Sequence, residues 1–311
     1  MSLQAGQRGG STRSRACAPT RLTRLATSCA FILACAPFPD PFDPYIAAVA
    51  SDTDAFEPFD RSMRRRVRAR AAFGYGDFAF LKDAVSEDLA ARAQSFDRKW
   101  SRLLDLGAHD GRLGKAIAAD EHVFADPAPE FARATAGVVC DEDRLPFRDA
   151  SFDLVVSSLS LHGVNDLPGA LVQVRRALQP GGVFLASFVG GMTATNVRRA
   201  LLDVDMAGEG AAPRLLPMVD PAEAPGLLQR AGFDQPVVDI ASFDISYGAV
   251  EGLRRDVRGM GEGNYLAARA SAPLTRSHAA QMIAALEELR GPAGKIPVKL
   301  EVLTLTGICP G

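Results

Sequence analysis

From residue 60 onward the chain alternates between two hydrophobic rhythms. Phe78, Leu81, Val85, Leu89 and Ala93 recur at three- and four-residue spacing, which predicts one face of an amphipathic helix within a helical stretch over 60–100. The stretch 102–107 is instead a short apolar run ending at a glycine, and 113–119 returns to a helical pattern. Strand-like runs follow at 122–126, 137–140 and 152–158, the last of them continuous and β-branched. A helix is predicted over 166–178, stopped by Pro180-Gly181-Gly182, and then a fifth strand over 183–188. Helices over 195–206 and 221–231, the second closed by Gly232, precede a strand-like 237–240. Helices over 248–258 and 277–289 and a last strand over 298–305 complete the pattern. Continuous apolar strands alternating with helices predict an open α/β sheet, mainly parallel, with helices on both faces. Ligands of such sheets bind at the carboxyl ends of the strands. The positions of interest are therefore 107–111, Asp126, 140–142 and 157–162.

Composition narrows the class. Of 311 residues, 47% are hydrophobic and 23% charged, which excludes a collagen, a fully disordered chain and a polytopic membrane protein. No apolar run reaches the roughly 18 residues of a membrane-spanning helix. The net charge of −2, from 35 basic and 37 acidic residues, gives no global footprint for nucleic acid. Cys140 and Cys309 have no metal-ligand spacing, and Cys17, Cys29 and Cys35 crowd the start of the chain. No metal site and no disulfide framework are expected, which favours a reducing compartment.

Residues 1–39 hold no Asp or Glu but carry Arg8, Arg13, Arg15, Arg21 and Arg24 among many Ser, Thr and Ala. That is the composition of a transit peptide, although Arg21 and Arg24 before an apolar 30–35 also read as a secretory signal, and an unstructured extension reads as well. Prolines 37, 39, 41 and 44 suit a linker. Three parts are expected: 1–52 an extension or targeting segment, 53–100 a helical cap, and 101–311 a ligand-binding domain with further cap helices within about 190–295.

The chemistry concentrates in 105–111. Asp105, Gly107 and Gly111 bracket a strand, a turn and a helix start, where glycines let a ligand approach the backbone and helix N-terminus. Asp126 lies about twenty residues on, at the next strand end, placed to take two ribose hydroxyls. Asp141 follows the third strand, where an adenine amino group could be recognised. Three acids on three successive strand ends imply a nucleoside cofactor. Arg61, Arg64, Arg65, Arg66, Arg68 and Arg70 read as a solvated helix face, or as a small basic patch facing an anion.

The stretches 103–107, 141–147 and 151–157 resemble class I S-adenosylmethionine-dependent methyltransferases. The block 152–171, with Phe59-Asp60-Arg61, Arg230-Ala231-Gly232-Phe233 and Gly259-Met260-Gly261-Glu262, is similar to the mitochondrial complex I assembly factors of that superfamily. The carrier-protein methyl ester-forming enzymes of biotin synthesis are more distantly similar. The resemblance implies a seven-stranded Rossmann-like sheet with an antiparallel last strand and S-adenosyl-L-methionine as cofactor. It places Asp105, Gly107 and Gly111 beside the methionine part, Asp126 at the ribose and Asp141 with Glu142 at the adenine. Ser157 and Ser158 would line the sulfonium end. Two positions depart from the pattern. His109 replaces the middle glycine of Gly-x-Gly-x-Gly, so its Cβ and imidazole are expected to crowd the cofactor or shift the turn. Gly163 stands where an aromatic usually follows the histidine.

His162, just past a strand end, is a candidate general base or else part of the pocket wall, since methyl transfer often needs only proximity and orientation. The leading reading is methyl transfer to a protein or small carboxylate acceptor. The resemblance also implies hydroxylation of an arginine on an iron–sulfur subunit of complex I, and a non-catalytic binding module is a third reading. A cytoplasmic location is expected, or the mitochondrial matrix if 1–39 is a transit peptide. The pattern fixes no oligomeric state.

Overall fold

The computed structural model describes residues 57–208, 210, 212–270 and 272–311. The segment 1–52, read above as an extension or targeting peptide, lies outside the described residues. The strands are β1 (Trp100–Leu106), β2 (Ala119–Asp126), β3 (Val138–Val139), β4 (Phe152–Ser158), β5 (Leu178–Gly190), β6 (Asp234–Tyr247) and β7 (Ile296–Ile308). Among the described residues they form one sheet in the order β3-β2-β1-β4-β5-β7-β6. Strands β1 to β5 pair in parallel, and β7 runs antiparallel to both β5 and β6. The helices are α1 (Arg61–Ala71), α2 (Phe80–Ser95), α3 (Arg112–Ala116), α4 (Pro129–Ala134), α5 (Leu167–Ala177), α6 (Thr195–Met206), α7 (Ala224–Ala231), α8 (Val250–Gly259) and α9 (Arg276–Glu287). The expected open, mainly parallel sheet with a reversed last strand is what forms.

Strand β4 is buried at every position, as a continuous apolar run must be when helices cover both faces of a sheet. Successive side chains alternate between two cores. Leu104, Val155 and Phe184 join the core beneath α5 and α7, while Leu103, Leu154, Val156 and Leu185 join the one beneath α2. The pairs Leu103↔Leu154, Leu104↔Val155 and Asp105↔Val156 bring the carboxyl ends of β1 and β4 level. Ala125 and Asp126 end beside β3 in the same way. Four strand ends therefore open on one cleft.

The long helical stretch 60–100 divides. Helix α1 starts at Asp60, whose side chain accepts the Met63 N–H, and α1 stops at Ala71. A short three-ten turn, Tyr75–Phe78, follows between Gly74 and α2. Helix α2 buries Leu81, Val85, Leu89 and Ala93 as predicted, together with Lys82 and Ser86. Pro180-Gly181-Gly182 does not separate helix from sheet, because β5 begins at Leu178 and runs through it. Gly181 takes φ +73° there and donates its N–H to the Cys309 carbonyl. Strand β6 is far longer than 237–240. It pairs with β7 alone and most of its side chains are half-buried or exposed, so it lacks a strong hydrophobic pattern. No helix among the described residues is long and apolar enough to cross a membrane.

Candidate functional site

The turn after β1 brings the first predicted residues together. Gly107 and Gly111 adopt φ +68° and +75°, a left-handed conformation glycine takes without cost. A Cβ on Gly107 would collide with Ser160 and lie 3.0 Å from Glu142 Oε1, so that glycine is required by a contact between strand ends. His109, between the two glycines, is also left-handed, at φ +53°. The expected strain at this position is therefore present. The ring is buried, stacked on Tyr75 at 4.8 Å and edge-on to Phe131 at 5.2 Å. Burial first, then the charges of Arg68 and Lys82, hold the imidazole neutral, well below its usual range.

Lys82 reaches this turn from α2. Its Nζ lies 2.8 Å from the Ser158 carbonyl oxygen, 3.3 Å from that of Gly107 and 2.9 Å from His109 Nδ1, tying the ends of β1 and β4 together. Burial pulls the ammonium down to about 8 against the opposing charge of Asp105. Burial likewise pushes the Asp105 carboxyl up to about 6, with Lys82 and the Gly114 N–H opposing. Asp105 Oδ2 accepts from Gly114 N–H, whereas Asp105 Oδ1 and Ser157 Oγ have no hydrogen-bond partner among the described residues. Ser158 is buried beside Ser86.

The acids at the next two strand ends are where the sequence places them, and every one is paired. Asp126 accepts from the His109 and Ala128 backbone N–H groups, and Arg68 closes on both its oxygens, with Nη2 at 2.5 Å from Oδ2 and Nε at 3.4 Å from Oδ1. Arg64 holds Glu142 in a bidentate pair at 2.6 and 2.9 Å. Burial acts to raise that carboxyl, but the Arg64 guanidinium outweighs it and sets it at about 2. Arg65 reaches Asp141 at 2.5 Å, and Arg61 pairs with Asp143 at 2.5 and 2.9 Å. The arginine run is thus not a solvated face. Arg66 and Arg70 are exposed, but Arg61, Arg64, Arg65 and Arg68 form an inward stripe at helical spacing. That spacing was visible in the sequence. The inward direction was not, because a helix carries its cations outward unless buried acids face it.

A nucleoside fits the turn but not the acids as they stand. A carboxylate offers about four acceptor positions, and Asp126 has all of them engaged. With α1 docked, Asp126 has no capacity left for ribose hydroxyls, and Glu142 already accepts two guanidinium nitrogens and the Ser160 hydroxyl.

Beyond the β4 end opens a cavity of about 340 Å³. Leu159, Val189, Leu201, Ile245, Val257 and Leu300 line it from three strands, two helices and the loop after β4, together with Lys82, His109, His162 and Glu262. His162 Nε2 lies 3.1 Å from Glu262 Oε1, and Tyr265 donates its hydroxyl to Glu262 Oε2 at 3.3 Å. Burial alone would raise the Glu262 carboxyl, but its hydrogen bond to His162 and the charges of Arg68 and Arg64 hold it below its usual range. His162 Nδ1 is buried and has no partner among the described residues. A carboxylate on Nε2 fixes the proton there and leaves a lone pair on Nδ1. Glu262 was quoted in the sequence only as part of a resemblance, and no spacing links positions a hundred residues apart. The missing aromatic at 163 is also explained. A Cβ there would lie 2.5 Å from Tyr265 Oη and 2.8 Å from Arg64 Nε, so Tyr265 fills that space from another loop.

A glycine turn after β1, acids after β2 and β3 and a reversed β7 define a class I methyltransferase scaffold. The methyltransferase domain family matches residues 104–186. The chain is 32% identical to the mitochondrial arginine-hydroxylase NDUFAF5 of Danio rerio, covering 84% of this chain and 85% of that one. The human protein of the same name is 34% identical over 80% of this chain and 76% of its own length. Malonyl-[acyl-carrier protein] O-methyltransferase of Xylella fastidiosa is 32% identical over 79% and 86%. In fold the chain resembles the YcgJ protein of Bacillus subtilis, with a TM-score of 0.51 and 17% identity over 72% of this chain and 99% of that one. The chain belongs to the S-adenosylmethionine-dependent class I methyltransferase superfamily, in the branch that holds these arginine hydroxylases and carrier-protein methyltransferases.

Proposed function

We propose that the chain is an S-adenosylmethionine-dependent, methyltransferase-type enzyme whose acceptor is an arginine side chain of a protein. The observation that carries this is Glu262, a carboxylate in an otherwise mainly apolar cavity, bonded to His162 Nε2 while His162 Nδ1 stays without a partner among the described residues. A guanidinium entering the cavity meets an acid for its charge and apolar walls for its methylene stem. In methyl transfer the attacking nitrogen loses one proton; the reading assigns its removal to His162 Nδ1, which has no partner among the described residues, while Glu262 holds the ring. S-adenosylmethionine, when bound, supplies the activated methyl group.

The similarity to NDUFAF5 proteins supports the same acceptor type, an arginine of an iron–sulfur subunit of respiratory complex I being the specific candidate. It also supports hydroxylation as the outcome at that arginine. A second reading, methyl ester formation on a carrier-bound or small carboxylate, is favoured by Lys82 at the same cavity and by the Xylella relative. The cap elements within 190–295 supply most of the cavity wall and so the acceptor specificity. The proposed site of action is the cytoplasm, or the matrix if 1–39 is a transit peptide.

The test is deletion of the gene and peptide mass measurement of the host's complex I iron–sulfur subunits, with and without the protein restored. Loss of a methyl increment on one arginine supports methyl transfer, and loss of an oxygen increment supports hydroxylation. No change on any arginine overturns the protein-arginine reading, and transfer of label from S-adenosylmethionine into a small-molecule carboxylate then selects the second.

A further inference from the structure

Helix α1 is attached to the domain in an unusual way. Its buried residues are Arg64, Arg68 and Ala71, with no large aliphatic side chain among them. A surface helix normally docks through an apolar stripe. Here the stripe is Arg61, Arg64, Arg65 and Arg68, and its partners are Asp143, Glu142, Asp141 and Asp126. Of these, Asp126, Asp141 and Glu142 are the carboxylates at the strand ends where a nucleoside is recognised in this kind of sheet.

We propose that α1 is a strap that competes with the cofactor for these acids: the docked helix and the bound nucleoside exclude each other. The proposal rests on the cofactor assignment above. Asp126 shows the conflict most sharply, since its two oxygens already accept two backbone N–H groups and two guanidinium nitrogens. A ribose diol can bind there only in place of Arg68. At Asp141 and Glu142 an adenine amino group competes with Arg65 and Arg64 for oxygens they already hold. Because α1 buries ion pairs instead of aliphatic surface, it is built to leave as one unit when those pairs are replaced. Its N-terminal end stays tethered by Phe59, whose N–H donates to Asn165 Oδ1, and by the Arg269–Asp60 pair.

The experiment is calorimetric titration of the full chain with S-adenosylmethionine, beside Arg68→Gln and Arg65→Gln. Arg68 is buried, so its replacement puts folding at risk, whereas the Arg65 side chain is 43% exposed and its variant keeps the test open. Removing a competing charge-assisted pair is expected to tighten binding about tenfold for Arg68→Gln and less for Arg65→Gln. Hydrogen exchange of the α1 amides is expected to speed up when the cofactor saturates the wild-type chain. Weaker or unchanged binding in folded variants overturns the strap while leaving the cofactor assignment intact, and weaker binding makes the arginines cofactor ligands. No binding by any folded form overturns the assignment and the strap together.

Discussion

At the β1–β4 end of the cleft, Asp126, Asp141, Glu142 and Asp143 meet Arg68, Arg65, Arg64 and Arg61, while the cavity toward β6 and β7 is walled mainly by aliphatic side chains. The two regions do different physical work. Each buried charge at the first end is intolerant of losing its partner, because desolvation leaves it a heavy penalty and only the pair offsets it. The second end supplies volume and apolar surface, which tolerate exchange and direct a ligand weakly. Orientation in the cavity must then come from its few polar groups, chiefly Glu262 with His162 and Lys82.

The largest effect separating the two regions is expected from Asp126→Ala. It strands the Arg68 guanidinium, 2% exposed, without a carboxylate. Loss of one partner of such a pair costs about 3–5 kcal/mol, read from denaturant unfolding. Leu201→Ala in the cavity wall, where the side chain is partly exposed, is expected to cost about 1 kcal/mol. Equal losses at the two positions would erase the contrast.

Lys82 lies where the regions meet, and pH separates its charge from its packing. Its folded-state value of about 8 lies below the ordinary 10.5. The unfolded chain therefore binds more protons between pH 8 and 10, and stability from this group rises with pH through that window and is lost as pH falls through 8. The effect is about 3 kcal/mol over the full window, an order-of-magnitude figure for a fully buried group. Lys82→Met is expected to remove this rise, so wild type should gain in unfolding midpoint relative to the variant from pH 7 to pH 10. A constant gap would show that the ammonium carries no such penalty.

The contrast also governs what could be read in the sequence. Asp105, Gly107, Gly111 and Asp126 were legible because one strand, one turn and the next strand end fix them, all within a short stretch of chain. The reversed β7 was legible only through resemblance. The arginine stripe was legible as residues but not as a contact, since pairing Arg64 with Glu142 or Arg68 with Asp126 depends on how α1 lies across strand ends many residues away. The cavity was illegible, because aliphatic residues from three strands, three helices and their loops carry no spacing rule. Glu262 beside His162 exists only in the folded chain.

A smaller effect is expected at Gly163, on the border between the ion pairs and the cavity. Gly163→Ala places a Cβ 2.5 Å from Tyr265 Oη and is expected to cost about 1–3 kcal/mol through overpacking. Tyr265→Phe removes the nearest obstructing atom, so the double variant should recover part of the loss in a mutant cycle. Simple additivity would mean that the hydroxyl is not what excludes a side chain at 163.

His109→Gly gives the smallest shift and probes the charged end without touching an acid. The change relieves a left-handed backbone at φ +53°, a gain of about 1 kcal/mol or more. It also deletes a buried ring stacked on Tyr75 and set edge-on to Phe131, an interaction worth about 0.5–1.5 kcal/mol beyond the area buried. The ring wins narrowly, so a net loss of about 1 kcal/mol in unfolding free energy is expected. Affinity for S-adenosylmethionine should change little if α1 is the strap proposed, because the arginines then hold the acids at Asp126 and Glu142 and the imidazole does not. A gain of about tenfold would transfer the obstruction from α1 to the turn, and the departure at 109 would then be the feature that limits cofactor binding.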